Sequence, residues 1–253
     1  MTPDDVEELY LHGIAGQAGR LLSIVPCATV FEIDCDRAAA ALPVLEKTLD
    51  AAERASLDRI RHPLQRQRAT VVRAALRWVL GAYLQVSPER VPLVRQPDGR
   101  PRLRTSPAER QLHVSSSSCG ALGTFAVASG TEVGVDLECA TQHRFPSALT
   151  QHILHPREVE IFEALPPDAR TAWLVSAWVC KEALLKALGL GLTLDPRNVE
   201  VMSSVHLASS EGGIFRPQGL APWFGRLRRR GIMFAAVACA NPRTQVGTVR
   251  LRF

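Results

Sequence analysis

Three carboxylates and a lysine, carried on two separate stretches, are the groups in this sequence best suited to chemistry. In "EVGVDLE", Glu132–Glu138, the residues Val133, Val135 and Leu137 alternate with Gly134, Asp136 and Glu138. Strand periodicity sends the three apolar residues to one face and Asp136 with Glu138 to the other. Two carboxylates side by side repel unless a cation joins them. The same pattern also suits an exposed edge strand that carries charge for solubility. In "WVCKEALLKALGLGL", Trp178–Leu192, Leu184, Leu185 and Leu188 recur at helical intervals, and Gly189 with Gly191 supplies a C-terminal stop. Glu182 and Lys186 are four apart and share one helix face. Alone they would form a solvent-exposed ion pair worth about 0.3–0.5 kcal/mol. With Asp136 and Glu138, Glu182 instead completes an oxygen-only set suited to Mg²⁺, an ion that takes a few carboxylates, keeps waters and adds substrate phosphates. Lys186 would reach a phosphate oxygen as a point charge. The chemistry implied is phosphate-centred: metal and lysine stabilise charge on a transferring group while a carboxylate takes a proton from the nucleophile.

Several elements must position these groups. A short helix is expected around Asp4–His12 and a buried strand near Val25–Ile33. "ALPVLEKTLDAAERASLDRIRHPLQRQRATVVRAALRWVLGAYLQV" reads as helical with a break at His62–Pro63. Turn chemistry follows at Pro97–Pro101, then two strands around a polar turn at Ser115–Gly120. "EVGVDLE" is a third strand, and a helix starts at Pro156 with an acidic first turn. The long helix "ARTAWLVSAWVCKEALLKALG" precedes strands near Val199–Val205 and in "GIMFAAVACA". Part of this order recurs. "TVFEID" matches "EVGVDLE", "ATVVRAALRWVL" matches "VCKEALLKAL", and "GALGTFAVAS" matches "RGIMFAAVAC". The offset is roughly a hundred residues, the size of a small domain. The expected fold is α+β: two similar α/β halves, pseudo-duplicated about a pseudo-twofold, meeting near Gly130 with the active site between them. The division is 1–27 as an N-terminal extension, 28–130 as one half and 131–253 as the half carrying the metal motifs.

Composition narrows the class. With 253 residues, 46% of them apolar, the chain can bury a real core, which excludes disorder. No apolar run reaches the roughly 18 residues of a membrane span. "MTPDDVEELYLHG" is acidic and unlike a signal peptide, so a cytoplasmic protein is expected. The six cysteines show no C-x-x-C spacing, which argues for reduced thiols rather than a zinc or redox site. The net charge of +5 comes almost wholly from arginine and suits phosphate or carboxylate partners.

"VGVDLE" followed by "WVCKEALLKALGLGL" resembles the signature of the 4′-phosphopantetheinyl transferases of the Sfp type, a (V/I)G(V/I)D-x-E strand and a downstream W-x-x-K-E-x-x-x-K helix. The likeness extends to "LQRQRATVVRAALRWVL" for the family's basic helix, "DGRPRL" for its G-K-P turn, "LHVSSS" for its N-L-S-H-S segment and "GIMFAAVACA" for its late strand. The resemblance implies transfer of the 4′-phosphopantetheine arm of coenzyme A to a serine of an acidic acyl or peptidyl carrier protein. It implies that Asp136, Glu138 and Glu182 surround Mg²⁺ with the pyrophosphate of coenzyme A. Glu182 would also be the base for the serine, and Lys186 would ease departure of adenosine 3′,5′-bisphosphate. Arg68, Arg100 and Ser115 fall where the family contacts coenzyme A, Arg100 replacing the usual lysine. Ser116 stands where the family carries a phosphate-holding histidine. His113, three residues earlier, belongs to the opposite strand face.

The remaining candidates are weaker. The seven histidines lack ligand spacing, and His152 and His155 suit capping or surface positions. Ser115–Ser118 lack a nucleophile elbow and read as a polar turn. Arg59, Arg66, Arg73 and Arg77 suit a helix face toward phosphates or toward solvent. "RLRRR", Arg226–Arg230, reads as surface, and Phe125, Phe162, Trp173 and Trp178 as core. Two rivals share the acidic set: a Mg²⁺-dependent nuclease and a non-catalytic carrier-binding homologue. No nucleic-acid or membrane partner is expected. A duplicated chain completes its own site, so a monomer is expected.

Overall fold

A computed structural model describes residues 7–10, 28–96, 100–104, 112–140, 147–190, 193–202, 213–241, 244 and 246–252. Along the chain run β1 (Glu7–Tyr10), β2 (Ala28–Asp34), α1 (Leu42–Lys47), α2 (Ala51–Asp58), α3 (Pro63–Leu84), β3 (Leu93–Arg95), β4 (Pro101–Leu103), β5 (Leu112–Cys119) and β6 (Leu122–Ser129). There follow β7 (Val133–Cys139), α4 (Ser147–Ile153), α5 (Pro156–Ala164), α6 (Pro167–Leu188), β8 (Val199–Glu200), β9 (Gly213–Pro217), β10 (Trp223–Arg230), β11 (Met233–Cys239) and β12 (Val246–Arg252). The chain forms two compact units, Met1–Gly130 with Gln245–Phe253, and Thr131–Thr244. Among the described residues no helix is long and apolar enough to cross a membrane.

In the first unit the sheet order is β1-β12-β2-β6-β5. Its core joins Phe31 and Ile33 of β2, Phe125 and Val127 of β6, Val249 and Leu251 of β12, and the apolar face of α3. Pro63 opens α3 at the predicted break, where its missing N–H costs nothing, and Gln85 closes it in the left-handed conformation at φ 56°. Asp50 caps α2 by accepting from the Glu53 N–H at 2.8 Å, and Glu53 accepts from the Asp50 N–H. The buried Arg77 of α3 then binds Asp50 at 2.6 Å and Glu53 at 2.5 Å. Arg73 donates to the Glu53 carbonyl at 3.0 Å. The first turn of α2 occupies these two arginines.

Three expectations need correction here. Glu7–Tyr10 form a strand, not part of a helix: β1 runs parallel to β12, with Leu9 opposite Leu251. An open sheet edge offers a short segment the backbone partners that a lone helical turn leaves unmet. Ser115–Ser118 are not a turn, since β5 continues through them against β6, and the reversal falls at Gly120, φ 58°. The final strand β12 returns to the first unit between β1 and β2, so the second unit ends at Thr244. The rest of 1–27 and the turn at 97–99 lie outside the described residues.

The second unit has the sheet order β7-β11-β10-β9-β8, with α6 packed on it. His155 caps α5 through Nδ1, accepting from the Arg157 N–H at 3.3 Å. Pro167 starts α6, and Gly189 ends it at φ 75°. "RLRRR" is part of β10: Leu227 enters the core and Arg229 lies over the Phe234 ring at 5.2 Å. Both units contain a strand, a 22-residue helix and a hairpin whose second strand lies antiparallel beside the first strand: β2-β6-β5 in one, β7-β11-β10 in the other. They differ in what is added, parallel β12 and β1 beside β2, against β9 and β8 beyond β10.

Candidate functional site

The register of β7 against β11 settles which way its carboxylates face. Gly134, Asp136 and Glu138 stand opposite Ala238, Ala236 and Phe234, all members of the core under α6. The acidic face of β7 is therefore the helix-packed face. β7 is the end strand of its sheet, yet it is no exposed edge: Asp136 is 3% exposed, and Val133, Val135 and Leu137 on the other face are buried too. Gly134 permits the approach of α6. A Cβ there would lie 1.9 Å from the Ala183 carbonyl oxygen and 2.5 Å from the Ala187 nitrogen. Backbone meets backbone at this point, at Ala183, the residue after Glu182. Glu182 and Lys186 are thus carried past Asp136.

Lys186 Nζ binds Asp136 Oδ1 at 2.6 Å. The i,i+4 partner suggested by spacing is not its ion-pair contact; a buried carboxylate across the sheet–helix interface is the stronger attractor. Trp178 Nε1 donates to Glu138 Oε1 at 3.3 Å, which fixes that carboxylate from one turn earlier on the helix. Trp178 is half-buried and polar in its role, beyond the packing role its residue type suggests. Glu182 is half-buried and holds its proton more tightly than an ordinary glutamate. Burial is the largest cause, the Asp136 charge adds to it, Lys186 opposes it and Glu138 adds a little more. Asp136, Glu138, Glu182 and Lys186 therefore converge on one side of the second unit.

Among the described residues no group of three or more His, Cys, Asp or Glu side chains is drawn tightly enough to form a metal cage. The donor set nonetheless fits a hard cation. Its groups are all oxygen, and the Asp136 and Glu138 charges add to burial in tightening the proton on Glu182. A hydrated Mg²⁺ needs a few such oxygens and not a closed cage.

The other expected site residues lie on the first unit. Arg68 of α3 is held by Asp36, just after β2, through Nε–Oδ1 at 2.8 Å and Nη2–Oδ2 at 2.6 Å. Arg100 precedes β4 and its carbonyl accepts from the Gln96 N–H at 2.9 Å. Ser115 and Ser116 are successive residues of β5, the first buried and the second half-buried, facing opposite sides. Asp36 escaped notice in the sequence because nothing local ties it to a helix residue so far along the chain.

Lys181 stands out in the sequence, but its partner Glu158 does not. Lys181 opens the K-E pair of the helix signature, yet its side chain is wholly buried and its Nζ lies 2.7 Å from Glu158 Oε2. The visible signal was a lysine in an apolar stretch; its partner came from a different helix. The five described cysteines are buried, and burial pushes the Cys35 thiol up to about 12. A thiol held protonated in this way is a poor nucleophile. Cys27 lies outside the described residues.

Known proteins resemble this chain. A family model described as the 4′-phosphopantetheinyl transferase superfamily matches residues 132–230. The 4′-phosphopantetheinyl transferase HetI of Nostoc sp. (strain PCC 7120) is 33% identical over 163 residues, spanning 64% of this chain and 69% of that protein. The protein slr0495 of Synechocystis sp. (strain PCC 6803) is 30% identical over 156 residues, spanning 60% of this chain and 61% of its own. The crystal structure of Thermotoga maritima holo-[acyl-carrier-protein] synthase aligns with a TM-score of 0.36 at 22% identity, over 44% of this chain and 64% of that one.

Proposed function

Because this chain belongs to the 4′-phosphopantetheinyl transferase superfamily, we propose that it acts as an Sfp-type member, moving the 4′-phosphopantetheine arm of coenzyme A to a serine of an acidic acyl or peptidyl carrier protein. The observation that carries the reading is the convergence of Asp136 and Glu138 from β7 with Glu182 and Lys186 from α6. In the reaction the serine oxygen bonds to the phosphorus of the phosphopantetheine phosphate. The P–O bond to the leaving phosphate breaks, and adenosine 3′,5′-bisphosphate departs. Asp136, Glu138 and Glu182 would hold Mg²⁺, which when bound neutralises the charge of the pyrophosphate. Glu182 takes the hydroxyl proton, a task suited to a carboxylate whose proton affinity is raised. Lys186, one turn further along α6, gives its ammonium to the pyrophosphate oxygens as negative charge grows on the leaving group. Arg68, Arg100, Ser115 and Ser116 of the first unit would hold the rest of coenzyme A. The related strand order in the two units supports a duplicated origin. The positive net charge suits an acidic carrier, and the reading places the enzyme in the cytoplasm as a monomer.

Incubation with coenzyme A, Mg²⁺ and an apo-carrier, followed by intact-mass measurement of the carrier, tests the proposal. A mass gain equal to one phosphopantetheine on a serine supports it. Carrier binding without a mass gain would mean a non-catalytic homologue, and cleavage of a plasmid under the same conditions would mean a nuclease.

A further inference from the structure

We propose that the buried Glu158–Lys181 pair is a positioning device for Glu182: it sets the rotation of α6 about its own axis, and with it the place of the neighbouring carboxylate. What Glu182 does rests on the transferase reading; what the pair does rests on geometry. An ammonium has three protons to give. Those of Lys181 go to Glu158 Oε2 at 2.7 Å, the Pro196 carbonyl at 2.9 Å and the Val199 carbonyl. These acceptors come from the first turn of α5, the segment before β8 and β8 itself. Glu158 is tied down in turn. Its Oε1 accepts from the N–H groups of Val201 at 2.7 Å and Met202 at 3.0 Å, and its Oε2 from that of His155 at 3.0 Å. Both side chains are 0% exposed.

α6 needs such a fixture because its packing is apolar around most of its circumference, with Leu174, Val179, Ala183, Leu184 and Leu185 all buried. Apolar contact is non-directional and holds a helix down without choosing between small rotations. A buried, fully bonded charge is directional, and setting register is its best-attested use. Lys181 and Glu182 are adjacent, about 100° apart around the helix. A carboxylate some 6–7 Å from the axis moves by about 1 Å for each 10° of rotation, a displacement of the size that costs on the order of 100-fold in rate.

Two variants test this. Glu158→Asp keeps the charge and both acceptor oxygens, so the fold is retained, but it draws Lys181 in by one methylene. The double variant Lys181→Met with Glu158→Gln removes both charges together. For each, kcat and the coenzyme A KM are measured by carrier mass, Mn²⁺ affinity by electron paramagnetic resonance, and folding by thermal melting. The expected result is a cooperatively folded Glu158→Asp protein with kcat lowered about tenfold or more, KM for coenzyme A within about twofold, and Mn²⁺ affinity lowered about threefold or more. A folded variant with kcat and Mn²⁺ affinity within about twofold of the parent overturns the proposal, whatever its melting temperature. If the double variant does not fold, Glu158→Asp decides alone. If the parent binds Mn²⁺ and Glu182→Gln abolishes that binding, but no carrier is modified, the transferase reading fails. Mn²⁺ affinity in Glu158→Asp still decides the role of the pair.

Discussion

Two residues, one in each unit, carry predictions of their own. Glu182 sits half-buried beside Asp136 and Glu138, and its charged form is disfavoured by burial first and then by those charges. Its pKa in the fold therefore lies above the unfolded value. The sign follows: its contribution to stability is full below the unfolded pKa and is lost as pH rises through the raised folded value. Glu182→Gln should abolish carrier modification and, in EDTA, melt at or above the parent temperature. The gap between the two should widen as pH rises from the ordinary glutamate range. A melting series against pH checks this, and a lower melting temperature at neutral pH would contradict it. Ser116 is the second case. β5 runs straight through it, so His113 faces the other side and cannot replace the family's histidine. A hydrogen bond to an ionised donor is worth about 1.5–3 kcal/mol against about 0.5–1.5 for a neutral one. Ser116→His should then lower the coenzyme A KM about fivefold to tenfold, with a smaller change in kcat. An unchanged KM would mean that another group, such as Arg68 freed from Asp36, already fills the position.

The strand–helix contact at β7 and α6 is the element on which the site depends. Gly134→Ala places a methyl 1.9 Å from the Ala183 carbonyl oxygen, and backbone cannot move aside as a side-chain tip can. The cost should reach or exceed the roughly 1–3 kcal/mol typical of overpacking. It should also separate Asp136 from Lys186, so activity should fall more than stability alone explains. Thermal melting paired with kcat at a temperature where the variant is fully folded measures both; full activity there would show that the contact does not set the site. Pro63, Pro156 and Gly189 announced their helix boundaries in the sequence because their backbone constraints are local. Gly134 was visible as a letter of the motif, but its reason was not, because the atoms it makes room for come from a distant helix.

At the scale of the whole chain, the last strand belongs to the first unit. Val249 and Leu251 of β12 are buried between β1 and β2. Deleting 245–253 should expose the first unit's core and leave the second unit's sheet intact. Hydrogen exchange should lose protection in β2 and β6 while α6 keeps it; equal loss in α6 would defeat this. By itself the sequence determined the chemistry-bearing set, the helices flanked by proline and glycine, and the alternating strand β7. Those signals are local, set by periodicity and backbone constraint over a few residues. Only the tertiary structure decided that Lys186 pairs with Asp136, that Lys181 meets Glu158, that Asp36 holds Arg68, and that β12 closes the first sheet. Each depends on groups far apart in the chain, and their energies exist only once packing has brought them within a few ångströms.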